Sequence, residues 1–247
     1  MILAVLSLLA VLSSADAVSV MLNSPSSVGP RTYAEAKAKV EMDASMGRPL
    51  QQFIVGITTE DKDLAKRYLD ASREKIVQMA EQKNNPLAWY LLAKELNDVK
   101  LLEKAAEGGN VQALNALGTI LTNEALQKND LMAFGAKVAE TNDIDKVIAK
   151  SFGYFRRAAA QRDPNGFINL GTCYLRGLGC RTDLRLAFEC FQAAARAGHP
   201  EGMDNMSACY QFGHGVKKNS ELSLYWAMRG RSARGDEAAA KWLRERK

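Results

Sequence analysis

One internal register constrains this chain more than any other feature: residues 164–199 recur, 36 positions later and without a gap, as residues 200–235. Pro164 meets Pro200, Gly166 meets Gly202, Asn169 meets Asn205, Cys173 meets Cys209 and Tyr174 meets Tyr210. Gly177, Gly179 and Leu186 then meet Gly213, Gly215 and Leu222. Fixed self-similarity at this period marks a tandem array of small supersecondary units, each of which completes its core by stacking on its neighbours. From Tyr33 onward the chain is rich in Ala, Leu, Glu, Lys and Arg and lacks alternating runs of β-branched and aromatic residues, so the units are predicted to be helical.

Within each unit the local signals agree. Pro164 and Pro200 suit the first turn of a helix, where the missing N–H costs nothing. Leu170, Cys173 and Tyr174, and equally Met206, Cys209 and Tyr210, recur at three and four residues and form one apolar stripe. The pairs Gly177/Gly179 and Gly213/Gly215 end that helix. Asp183 and Asn219 are placed to cap a second one, whose apolar face is built largely of alanine. Each unit therefore reads as an antiparallel helical hairpin.

The string Asn169-Leu170-Gly171-x-x-Tyr174-x-x-Gly177-x-Gly179, followed by Ala187-x-x-Cys190-Phe191-x-x-Ala194-Ala195-x-x-Gly198-His199, resembles the Sel-one-like repeat, a relative of the tetratricopeptide repeat. The last unit restores the family's Val and Trp as Val216 and Trp226, while Ser207 replaces the helix glycine. The resemblance implies an all-α, right-handed superhelical solenoid of stacked antiparallel helical hairpins. It weakens upstream. Residues 85–163 read as degenerate repeats with an insertion near 129–143 that delays a second helix, and residues 31–84 as a divergent N-terminal helical unit. Residues 236–247 read as a basic C-terminal capping helix.

The N-terminus has a different texture. Residues 1–12 are largely apolar and too short to span a bilayer, and Ala15-Asp16-Ala17 offers a signal-peptidase site before Val18. A signal peptide over 1–17 and a flexible lead-in over 18–30 are expected, hence export from the cytoplasm: a secreted or periplasmic protein, or one of the ER lumen. Retention of 1–17 as a membrane tether is the alternative. The formal net charge is +5, and much of the excess lies between Arg229 and Lys247. Only Trp226 and Trp242 accompany those charges, so a solvated helix is expected rather than a nucleic-acid surface.

Reactive chemistry is sparse. The two histidines, His199 and His214, stand at no metal-ligand spacing, and no phosphate-binding loop, dinucleotide fingerprint or nucleophile elbow occurs, so neither metal nor cofactor is expected. Ser72-Arg73-Glu74-Lys75 fits the Ser-x-x-Lys of penicillin-interacting enzymes but lacks its partner motifs, leaving a serine enzyme acting on β-lactams or peptidoglycan as an alternative function. Cys173, Cys180, Cys190 and Cys209 take apolar repeat positions, which predicts buried thiols. In an oxidising compartment a bridge between Cys180 and Cys190, or between Cys173 and Cys190, is the pairing to expect, whereas repeat-equivalent Cys173 and Cys209 are too far apart.

Stacked hairpins of this kind bind ligands along a concave face. By resemblance to tetratricopeptide geometry, the inward positions are Asn165, Ile168, Thr172 and Arg176, then Glu201, Asp204 and Phe212, with Tyr90, Lys94, Gln112, Asn115 and Thr119 upstream. Their mixture of amides, hydroxyls, both charge signs and aromatics suits a protein or peptide partner. The expected function is an exported, non-enzymatic scaffold or adaptor.

Overall fold

The structure is a computed structural model that describes residues 17–18, 21–22, 30–133 and 141–246. Among these residues all regular structure is helical. The helices are α1 (Pro30–Ser45), α2 (Pro49–Thr58), α3 (Lys62–Lys83), α4 (Pro86–Leu96), α5 (Val99–Glu107) and α6 (Val111–Ala133). They continue as α7 (Thr141–Ala160), α8 (Pro164–Arg176), α9 (Leu184–Arg196), α10 (Pro200–Phe212), α11 (Ser220–Ala233) and α12 (Glu237–Arg244). They pair as hairpins α2/α3, α4/α5, α6/α7, α8/α9 and α10/α11, with α1 and α12 at the flanks. The chain divides into two compact units, the first ending at Gln112 and the second beginning at Ala113.

The expected signal segment lies outside the described residues except for Ala17, and most of the lead-in lies outside them as well. Of the insertion, residues 134–140 lie outside them; its remaining backbone continues α6 and begins α7, which at 23 and 20 residues exceed the 13 of α8 and α9. No helix among the described residues is long and apolar enough to cross a membrane.

In the first unit, successive helices from α1 to α5 pack on one another. Phe53 and Ile54 of α2, Ile76 and Ala80 of α3 and Leu91 of α4 are fully buried. After α3 and α4 the chain reverses without glycine: Asn84 (φ 44°) and Asn97 (φ 51°) take the left-handed conformation, which asparagine tolerates best among residues carrying a Cβ. Asp61, Asn85 and Asp98 cap the helices that follow, each accepting two backbone N–H groups.

The second unit follows the 36-residue register closely. Gly171 of α8 faces the ring of Phe191 in α9, so close that a Cβ there would stand 2.7 Å from Phe191 Cε1. Gly118 of α6 faces Phe155 of α7 in the same way. In the last hairpin both members change together: Ser207 stands in the glycine position and Ala227 in that of the phenylalanine. The Ser207 and Ser223 hydroxyls are 3.1 Å apart, and Ser223 Oγ also donates to Ser207 O.

Successive hairpins meet through small residues and one aromatic pair. A Cβ on Gly166 would stand 2.6 Å from Ala159 N, and one on Gly202 would stand 2.7 Å from Ala195 N, so each helix lies directly on the backbone of the preceding one. Beside these contacts Phe152 of α7 meets Tyr174 of α8 edge-to-face at 5.7 Å, and Phe188 of α9 meets Tyr210 of α10 likewise at 5.7 Å.

Candidate functional site

The first helices α6, α8 and α10 carry most of the expected partner-binding side chains, and a chain of polar contacts joins these helices. It begins at Asp163, the residue that caps α8. One carboxylate oxygen accepts from Gly166 N at 2.7 Å and from Asn115 Nδ2 of α6, also at 2.7 Å. Asn115 Oδ1 in turn accepts from Asn169 Nδ2 at 3.3 Å. Burial raises the pKa of Asp163 above the usual carboxylate value, and the bonds from Gly166 and Asn115 oppose that rise.

At the next junction the capping position holds His199, which is 4% exposed. Its Nε2 lies 3.1 Å from Asn165 Oδ1, while its Nδ1 is buried without a hydrogen-bond partner. Burial, reinforced by Arg234 and opposed by Asp204, lowers the histidine pKa to about 4. The imidazole is therefore neutral near pH 7. One step further, Asp204 of α10 pairs with the guanidinium of Arg234, which follows α11.

These contacts divide the expected site residues by role. Asn115 and Asn165 tie neighbouring hairpins together, while Asp204 ties α10 to the end of α11 within the last hairpin. Half-buried Thr172 donates its hydroxyl to Ile168 O of its own helix at 3.0 Å. Ile168 itself is 4% exposed and belongs to the core, a correction to its expected inward exposure: α8 packs against α7, α9 and α10, which leaves little of its surface on which an apolar side chain could face solvent. Thr119, Arg176, Glu201 and Phe212 remain exposed, Phe212 at 56%, with its ring stacked on His214 at 5.6 Å. In the first unit Lys94 is exposed and Gln112 half-buried, whereas Tyr90 is 7% exposed, and burial raises its phenol pKa to about 12. Tyr90 is the second correction, since it offers a partner almost no surface.

Sequence reasoning missed Asp163, Asn169, His199 and Arg234 as members of this network. The register could have located the junction, because Asp163 and His199 are repeat equivalents. Their different chemistry hides the shared position.

Cys173, Cys180 and Cys190 converge on one cluster with Phe155 and Leu170. All four cysteines are free thiols here, so neither expected bridge is formed. Cys180 Sγ instead donates to Cys173 O at 3.6 Å. Burial pushes Cys173 to about 12 and Cys190 and Cys209 to about 11, which suppresses the nucleophilic thiolate. Ser72 is fully buried and its hydroxyl donates to Tyr68 O at 2.6 Å, whereas Lys75 lies exposed. A serine nucleophile needs access to substrate, which this position denies. Among the described residues no group of three His, Cys, Asp or Glu side chains is placed to hold a metal ion.

The Sel1 repeat family matches residues 99–110, 140–163, 168–199 and 200–227. An ERAD-associated E3 ubiquitin-protein ligase component, HRD3B of Arabidopsis thaliana, is 32% identical over 108 residues; the match covers 38% of this chain and 18% of that relative's length. Among solved structures, a Sel1 repeat protein from Oxalobacter formigenes aligns with a TM-score of 0.44 at 21% identity, covering 55% of this chain and 90% of that one. A protective antigen of uropathogenic Escherichia coli strains displaying an SLR fold aligns with a TM-score of 0.38 at 18% identity, covering 83% and 52%.

Proposed function

We propose that this chain, which is built of Sel1 repeats, is an exported, non-enzymatic scaffold that binds a protein or peptide along the first helices of its second unit. The observation that carries the reading is the division of labour on α6, α8 and α10. Asn115, Asn165 and Asp204 are spent on contacts within the frame, while Thr119, Arg176, Glu201 and Phe212 stay exposed. A frame presenting hydroxyl, cation, anion and aromatic groups on successive first helices suits an extended polypeptide, because each hairpin adds contacts. Burial of Ser72 speaks against the serine-enzyme alternative.

Export rests on the apolar start of the chain with its Ala15-Asp16-Ala17 site. Likeness to an ERAD-associated ligase component favours a place in the secretory pathway and a role in protein quality control. Mass spectrometry of the mature protein separates the exported form from a tethered one, since cleavage leaves Val18 as the first residue.

Photo-crosslinking tests the binding face. A photoreactive residue at Thr119, Arg176 or Phe212 is expected to trap a partner in the native compartment, and one at exposed Arg181 or Glu189, outside that row, is not. Equal trapping at both sets overturns the assignment.

A further inference from the structure

Lys75, the lysine of the Ser-x-x-Lys string, belongs to a site of a different kind. It borders a cleft of about 430 Å³ in the first unit, between the start of α2 and the last turns of α3, and Gln51 and Lys83 also line that cleft. Lys75 and Lys83 are exposed and form no ion pair among the described residues. Arg48 stands there too, but a carboxylate already answers it: fully buried Asp43 lies 3.1 Å from its Nη1. Among the described residues no carboxylate borders the cleft, and Glu74, next to Lys75, accepts from Gln78 Nε2 at 3.3 Å.

Two further features call for an anion in this place. Helix α2 opens on Pro49, with Arg48 at the capping position, and no side chain caps it. The N–H groups of Leu50 and Gln51 in its first turn are left without a partner in the helix, and an open helix start attracts negative charge. The other feature is the side chain of Gln51. It is only 7% exposed, makes no hydrogen bond among the described residues, and keeps its remaining surface toward the cleft. A buried amide without a partner is costly. An anion in the cleft would give its Nε2 an acceptor.

We propose that this cleft binds a doubly charged phosphoryl group, either free phosphate or that of a small phosphomonoester. The charge selects the ligand: two unanswered ammonium groups beside an uncapped helix start match a group carrying about −1.5 to −2 at pH 7 better than they match one carboxylate. Lys75, Lys83 and Gln51 Nε2 donate to its oxygens. The cleft is larger than one ion needs and falls within the range of small-molecule sites, with Leu50 and Met79 supplying apolar wall for an organic group. None of these residues belongs to the row on α6, α8 and α10, so the site stands independently of that reading.

The probes are phenyl phosphate, inorganic phosphate and benzoate, each titrated calorimetrically into the full chain at low ionic strength. Both phosphates are expected to saturate one site, and benzoate, with its single charge, to bind at least about tenfold more weakly. Tighter binding of phenyl phosphate than of inorganic phosphate assigns the ester, and equal affinity assigns free phosphate. Lys75→Gln combined with Lys83→Gln should lower phosphate affinity about tenfold or more, and Gln51→Met, which keeps the side chain's length without its amide, about tenfold. Lys217→Gln combined with Lys218→Gln, an equal loss of exposed charge in the second unit, should change nothing. Circular-dichroism melts matching the native chain verify that each variant folds. Failure of either phosphate to saturate, benzoate binding as tightly as the phosphates, or an equal loss from the two lysine pairs overturns the proposal. So does affinity indifferent to the Lys75 and Lys83 substitutions or, in a folded variant, to Gln51→Met.

Discussion

Gly171 and Phe191 interlock so tightly that the phenylalanine ring occupies the space a Cβ at position 171 would need, 2.7 Å from Cε1. Gly171→Ala gains up to about 1 kcal/mol in helix propensity. It forces a rigid buried ring to move at a cost of about 1–3 kcal/mol, so net destabilisation is expected. The last hairpin supplies its compensation, Ser with Ala in place of Gly with Phe. Urea unfolding of Gly171→Ser, Phe191→Ala and the double variant should show a coupling of about 1 kcal/mol or more in favour of the double.

Two glycines of one loop should respond differently to alanine. Gly213 (φ 80°) and Gly215 (φ 69°) both hold left-handed backbone angles. A Cβ at Gly213 meets only the flexible stem of Lys218, at 3.1 Å, whereas one at Gly215 collides with the carbonyl of Leu184. Gly213→Ala is expected to cost about 1 kcal/mol, and Gly215→Ala clearly more. Thermal melts of the two variants provide the comparison.

Stability should fall on acidification through His199. Its pKa in the fold, about 4, lies below the ordinary value of 6.5, so the unfolded chain binds the extra proton first. The contribution is complete above pH 6.5 and is lost as pH drops toward 4, by an amount of order 1–3 kcal/mol. Urea midpoints measured from pH 7 to 4.5 should decline more steeply for the native chain than for His199→Gln.

The two acidic residues of the polar network also differ in weight. Asp163→Ala removes a helix cap together with the bond to Asn115 and is expected to cost about 1–2 kcal/mol. Asp204→Ala breaks a pair whose side chains are 45% and 38% exposed, which is expected to cost less than about 1 kcal/mol. Chemical denaturation of both variants tests the order.

In residues 164–235 the helices, the caps of their second helices and the hairpin pairing were legible in the sequence because proline, glycine and Asx residues act locally and recur in register. Asp183 and Asn219 cap as expected, each accepting one backbone N–H at 2.9 Å. The site was legible only in part. Tetratricopeptide geometry placed Asn115, Asn165 and Asp204 on the right helices but not their commitments, since their partners lie 48, 34 and 30 residues away. Ile168 and Tyr90 were misjudged because a position pattern gives the direction of a side chain and not what the neighbouring helix lays over it. Of the cysteines expected to be buried, Cys173 and Cys209 are, and Cys180 and Cys190 are half-buried. Their proximity, however, brings a backbone carbonyl rather than a second sulfur to Cys180.

The carboxylate of Asp163 serves two helices at once, holding the start of α8 and the N-terminal part of α6. Fraying of α6 would strip the anchor from α8, so unwinding begun at one hairpin should spread to the next instead of stopping there. Amide hydrogens of α6 and α8 should consequently exchange with solvent as one block, and substituting Asp163 should let the two exchange independently.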